Sequence, residues 1–249
     1  MYTFGWQTSE NGDSRLLREG NGMSNSNVWG ILLVLAGVIP AVCTAQTKTY
    51  PLASLEGLKL HNVSAEPATH NARKAIRVTE PADQKGQAED RLAIVAGTDF
   101  QNGVIEIDVA GKPGAGAVQA ARGFIGVAFR VAPDVSKFEC IYLRPTNGRA
   151  EDQVRRNHSA QYVSFPDYSW PRLRKEEPEK YETYVDLVPG EWTKVKIEVQ
   201  GVKARLYVHG VEQPTLLVND LKKGESRGAV ALWIGPGTEG YFTNLRISQ

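Results

Sequence analysis

Residues 192–209 read WTKVKIEVQGVKARLYVH, and this stretch decides the fold class. Trp192, Val195, Ile197 and Val199 are apolar, while Lys194, Lys196 and Glu198 are charged. Alternation with a period of two marks a strand with one buried and one wet face. A second β segment, 202–209, is joined to it through Gln200-Gly201, so the pair reads as an antiparallel hairpin.

The β reading extends outward from this hairpin. Towards the C terminus it covers 228–234 (GAVALWI) and 240–247 (GYFTNLRI). Towards the N terminus it covers 57–63, 74–79, 91–96, 103–110, 123–131, 137–143 and 160–164. Gly, Pro and Asn punctuate nearly every gap, and no amphipathic helix is predicted. Many short strands at even spacing predict an all-β sandwich or barrel, not a βαβ sheet. Gly111–Gly116 (GKPGAG) reads as a long hairpin loop between neighbouring strands. No linker divides 46–249, so a single domain is expected there.

Residues 1–45 read as a leader. The run 28–42, VWGILLVLAGVIPAV, carries no charge, and Cys43-Thr44-Ala45 puts small residues at −3 and −1 of a cleavage site before Gln46. About 15 apolar residues ending at a proline are too few to span a ~30 Å hydrocarbon core. The expectation is cleavage and export, with Met1 or Met23 as the start, leaving no membrane anchor afterwards. A lipid anchor at Cys43 is disfavoured, because Pro40, Ala41 and Val42 fit a lipobox poorly. Cleavage after Ala45 removes Cys43 and leaves Cys140 without a disulfide partner. Cys140 shares a strand face with Phe138 and Tyr142, as a buried thiol would.

The net charge of +1 gives no general pull towards nucleic acid, so any basic patch is local. One such patch lies in 138–170, FECIYLRPTNGRAEDQVRRNHSAQYVSFPDYSW. It starts as a strand, breaks at Pro145, Asn147 and Gly148, and continues rich in Arg and aromatic residues. From Arg144 to Lys175 there are seven Lys/Arg against three acids. Arg forks suit vicinal hydroxyls and carboxylate or sulfate groups, and aromatic rings suit the C–H face of a sugar. The candidate ligand-binding residues are Arg144, Asn147, Arg149, Arg155, Arg156, His158, Gln161, Tyr168 and Trp170. The bland alternative is a solvated loop whose Arg residues are neutralised by Glu176, Glu177, Glu179 and Glu182.

Several phrases recur in one order in a known group. They are FQNGVIEIDV at 100–109, FIGVAFR at 124–130, PGEWTKVKIEV at 189–199, ARLYVHG at 204–210 and GAVALWIGPGTEGYFTNLRI at 228–247. Over about 55–249 the chain resembles the concanavalin A-like lectin/glucanase superfamily. Its laminin G-like domains, and the exported bacterial domains once named DUF1080 and associated with hydrolysis of 3-keto-disaccharides, are the relatives suggested. The resemblance implies a jelly roll of two antiparallel sheets, with ligands on the concave face or its rim. It implies no cofactor; structural calcium is frequent in the superfamily, but no ligand set for it can be picked out here.

Three functions from different classes follow. The first is an exported, periplasmic or extracellular bacterial module that binds a carbohydrate, acidic and oxidised sugars included. The second is a glycoside hydrolase of the same fold, with catalytic residues unknown. The third is an envelope interaction module without sugar chemistry. Glu106-Ile107-Asp108 superficially resembles a laminarinase-type E-x-D-x-x-E strand, but Gly111 stands where the third acid belongs. These two acids read as the wet face of a strand. His158 has no metal-type spacing partner, so a zinc site is not expected. There is no Walker A pattern, and Gly111–Gly116 lacks the helix a dinucleotide site requires. Trp192 and Trp233 lie in strand patterns and read as core.

Overall fold

A computed structural model describes residues 46–83 and 90–249, and the leader read at 1–45 lies outside them. In chain order the strands are β1 (Thr47–Tyr50), β2 (Leu58–His61), β3 (Ser64–His70), β4 (Arg73–Thr79) and β5 (Leu92–Phe100). β6 (Gly103–Pro113), β7 (Ile125–Val131), β8 (Phe138–Leu143) and β9 (Ala160–Phe165) follow. β10 (Glu182–Thr183), β11 (Thr193–Gln200), β12 (Lys203–Val208), β13 (Leu216–Val218), β14 (Gly228–Ile234) and β15 (Thr238–Ser248) complete them. Two short helices, α1 (Gln153–Asn157) and α2 (Trp170–Glu176), flank β9.

The strands form two antiparallel sheets packed as a jelly-roll sandwich. One is ordered β13-β12-β11-β6-β15-β4-β3, with β1 also on β15; the other is β10-β9-β8-β7-β14-β5-β2. The hairpin 192–209 becomes β11 and β12, and its apolar phase fixes the register: Val195, Ile197 and Val199 face Val208, Leu206 and Ala204. These residues join Ile105, Ile107, Phe242 and Leu245 on one inner surface. Val127, Phe129, Ile141, Tyr162, Val230 and Leu232 meet them from the seven-stranded sheet. Lys194 and Lys196 pair with Asp108 and Glu106 across the outer face of the eight-stranded sheet. Asp108 there binds Arg73 and Asn244, and Glu106 pairs with Arg246, so these acids are indeed the wet face.

The first and last described residues meet. β1 pairs with the last residues of β15, and Gln46 and Gln249 exchange backbone hydrogen bonds of 2.9 and 3.2 Å.

Three expectations change. Gly111–Gly116 is not a hairpin loop: β6 pairs with β11 and β15, whereas β7 pairs with β8 and β14 in the other sheet. The segment after β6 therefore carries the chain across the sandwich. Proximity in sequence suggested pairing, but β7 is buried on both faces and belongs to the sheet that is covered on both sides. Second, α1 and α2 form where no helix was expected; Asp152 caps α1 by accepting a bond from the Arg155 backbone, and each helix is too short to show a 3.6-residue period. Third, β1, β3, β10 and β13 join the eleven expected strands. Three have four residues or fewer, and β3 carries Pro67, which an edge strand tolerates.

Candidate functional site

The outer face of the seven-stranded sheet is apolar, although it faces away from the inter-sheet core. Leu92, Ala128, Val131, Phe138, Cys140, Tyr142, Ala231 and Trp233 form a second buried cluster on it. Strand register lines up one row across this face: Glu182, Gln161, Tyr142, Gly126, Trp233 and Leu92. Gly126 lies between two aromatic residues. A Cβ there would come within 2.3 Å of the Ile141 carbonyl and 2.5 Å of the Tyr142 Cβ. The glycine lets the Tyr142 and Trp233 rings close over it, with centroids 4.7 Å apart and planes inclined by 35°. Phe124 meets Tyr142 edge-on at 6.1 Å.

A cleft of about 240 Å³ opens over these rings. One wall comes from the connection after β9. Ser164 and Tyr168 exchange two backbone hydrogen bonds, so the turn between them folds Tyr168, Trp170 and Pro171 back over the sheet. Phe138 and Phe165, stacked at 4.8 Å, close one end. Arg91, ion-paired with Glu80 at 2.6 Å, and Pro236 border the other.

Beside the Tyr142–Trp170 wall sits a polar network around Glu182. Arg174 grips this carboxylate bidentately at 2.9 and 2.5 Å, and Arg144 Nη1 donates to it at 3.0 Å. Arg144 also donates to the His158 carbonyl, the Tyr142 hydroxyl and Gln161 Oε1. His158 Nδ1 lies 3.1 Å from Glu182 but without hydrogen-bond alignment. Burial alone would push the Glu182 carboxyl up; the Arg174 hydrogen bonds and the Arg144 and Arg174 charges outweigh it and hold the group below its ordinary range. Burial lowers His158 against the pull of Glu182, with Arg174 and Arg144 adding to the lowering. Burial raises the Tyr142 hydroxyl to about 12. Tyr142 thus keeps its proton, and since it accepts from Arg144 that proton is left to donate.

The nine sequence candidates divide into two groups. Arg144, His158, Gln161 and Trp170 are brought together at the network, and Tyr168 lies in the cleft wall. The other four hold the chain between β8 and β9. Asn147 is buried, donates to the His158 carbonyl and accepts from Arg155, which also binds Thr146. Arg149 pairs on the surface with Asp186, and Arg156 lies over the Tyr184 ring. The acids suggested as internal neutralisers do so in part: Glu182 takes Arg144 and Arg174, and Glu176 takes Arg172.

Sequence reasoning missed Glu182, Arg174, Gly126, Tyr142 and Trp233 as parts of one surface. Trp233, read as core, is almost buried yet faces the cleft. The available signal was that 125–131 and 138–143 are apolar at nearly every position, which a strand wet on one face is not. Trp192, also read as core, lies partly exposed on the other sheet beneath the Arg73 guanidinium. Among the described residues no group of three or more His, Cys, Asp or Glu side chains is placed to hold a metal ion.

No protein-family model and no curated protein matches the chain. Solved structures do. The carbohydrate-binding module CBM66 from Bacillus subtilis superposes with a TM-score of 0.51 at 14% identity, over 77% of this chain and 96% of that one. A Bacillus subtilis protein of unknown function with a galectin-like fold gives 0.53 at 10% identity, over 83% and 96%. At such identities the likeness speaks for the fold, and the chain has the jelly-roll sandwich common to these carbohydrate-binding and galectin-like structures.

Proposed function

We propose that residues 46–249 form an exported module that binds a saccharide in the cleft over β7, β8 and β14. The observation that carries this reading is the Tyr142–Gly126–Trp233 row, which packs two aromatic rings against each other at a tilt beneath an open cleft. A pyranose presents an apolar C–H face to such rings and hydroxyls at its rim. The indole N–H of Trp233 meets no acceptor among the described residues, and the Tyr142 hydroxyl keeps a proton to give, so both can serve ring oxygens. The Arg144–Glu182–Arg174 network fixes Tyr142 and Gln161 in place, so their orientation is set before a ligand arrives. The Bacillus subtilis carbohydrate-binding module of like fold supports the class of ligand.

The hydrolase reading is weaker on one specific ground. A glycosidase needs a carboxyl kept protonated to serve as general acid, beside a second carboxylate. The carboxylate nearest the cleft's polar end, Glu182, is held ionised by two guanidiniums. Glu139 points to the opposite side of the sheet, where it accepts from Tyr162 and the Lys223 backbone. Glu80 is engaged with Arg91.

Titration calorimetry against a panel of oligosaccharides tests the reading. Trp233→Ala should abolish binding, and Trp233→Phe, which preserves most of the packing, should weaken it by about tenfold or more. Undiminished binding by a folded Trp233→Ala variant would move the site elsewhere.

A further inference from the structure

We infer that the saccharide carries an anionic group, a carboxylate or sulfate, and that Arg174 is the residue that meets it; this rests on the binding reading above. Two guanidiniums, Arg144 and Arg174, share the single carboxylate of Glu182. Around them the imidazole of His158 is driven towards its neutral form, so the network holds a surplus of one positive charge. One further acid, Glu179, acts on His158 from the exposed surface, and neither guanidinium is ion-paired with it. Asp167 is committed to Lys223, Glu176 to Arg172, and Glu177 to Lys180 and Lys222. An anion beside this network is therefore favoured over a neutral group.

The two guanidiniums are not equally available. Arg144 is buried and spends four hydrogen bonds on Glu182, His158, Tyr142 and Gln161. Arg174 is 35% exposed, uses only Nε and Nη2 on Glu182, and leaves Nη1 without an acceptor among the described residues. It stacks on the Trp170 ring at 4.8 Å, and Trp170 lines the cleft. Arg174 stands behind Trp170 and outside the cleft lining, so a sugar seated on Tyr142 and Trp233 would meet it through a group that extends past Trp170. A guanidinium braced by a carboxylate and an aromatic face is already oriented, so little rotamer freedom remains to be lost on binding.

The test is calorimetry on the full chain with oligogalacturonate, which carries carboxylates only, κ-carrageenan oligosaccharides, which carry sulfates only, and neutral laminari- and xylo-oligosaccharides, at low and high salt. The expected result is preferential binding of an anionic class, weakened as salt rises. Which of the first two ligands binds tells carboxylate from sulfate. Arg174→Gln should weaken that binding roughly ten- to hundredfold, the range for a charge-assisted hydrogen bond, and Arg174→Lys should restore the salt dependence but only part of the affinity. Tight, salt-independent binding of a neutral glycan that is lost in Trp233→Ala yet unchanged in Arg174→Gln would overturn this inference and leave the binding module standing. Failure of every glycan to bind the folded protein would overturn both.

Discussion

Gly126 shows how one atom's absence makes a surface. Its missing side chain is filled by the Tyr142 backbone and the Ile141 carbonyl, neither of which can step aside. Gly126→Ala should destabilise the protein by about 1–3 kcal/mol, the usual range for overpacking, and should spread the two rings. Thermal unfolding together with tryptophan fluorescence would read both effects; an unchanged melting temperature would mean that the strand yields. Cys140, on the same face, is fully buried, and burial pushes its thiol well above the ordinary range. A thiol reagent should leave the Cys140 peptide unlabelled in the native protein and label it fully in denaturant. Labelling under native conditions would show that the face opens. The position of Cys140 on this face was legible from alternation alone. The role of Gly126 was not, because a glycine inside a strand pattern carries no sign of what approaches it.

The connection between β8 and β9 carries the clearest revision at the scale of elements. Its Arg and Asn residues stood out in the sequence as ligand contacts, but composition cannot tell a side chain turned towards a ligand from one turned back on its own loop. Arg155 turns back, tying α1 to Thr146 and Asn147. Arg155→Ala should therefore cost about 1–2 kcal/mol and lower the melting temperature by several degrees. Arg156→Ala removes a surface contact with Tyr184 and should change stability by less than about 0.5 kcal/mol. Differential scanning calorimetry on the two variants separates them, and equal losses would contradict the placement. The eleven expected strands were legible because burial imposed a period on each. The four that escaped are too short for a period or sit at an edge where burial is incomplete.

Across the whole molecule the shifted groups act together as pH falls. His158 is lowered in the folded state, so its neutral form stabilises the protein above about 6.5, and that contribution is lost on acidification through the folded value. Glu239 is partly buried, which would raise it, but bonds from Tyr241, Arg77 and Lys112 hold it at about 2. Its contribution is present above its ordinary value of 4.5 and disappears as pH falls towards 2. Glu182 acts in the same direction. Melting temperature should accordingly fall from neutral pH downwards, and Glu239→Gln should flatten the curve below about pH 4.5. An identical slope in that variant would show that the Arg77–Glu239–Lys112 contacts are not maintained in solution. At this scale the sequence was most informative: one hairpin and the spacing of strands led to an all-β sandwich or barrel, and the resemblance chose the two-sheet antiparallel sandwich between them. The crossing between sheets after β6 was hidden, because which sheet a strand joins depends on partners far away in the chain.

The pairing of β1 with β15 has a further consequence. With Gln46 and Gln249 bonded to each other, the two ends of the described chain meet on one strand edge. A short peptide joining them would leave every strand pairing intact, so the order in which the strands are made can be rotated without altering their arrangement. A circular permutant opened in the exposed turn at Val211–Gln213, far from the cleft residues in sequence, should fold to the same sandwich and bind the same ligand.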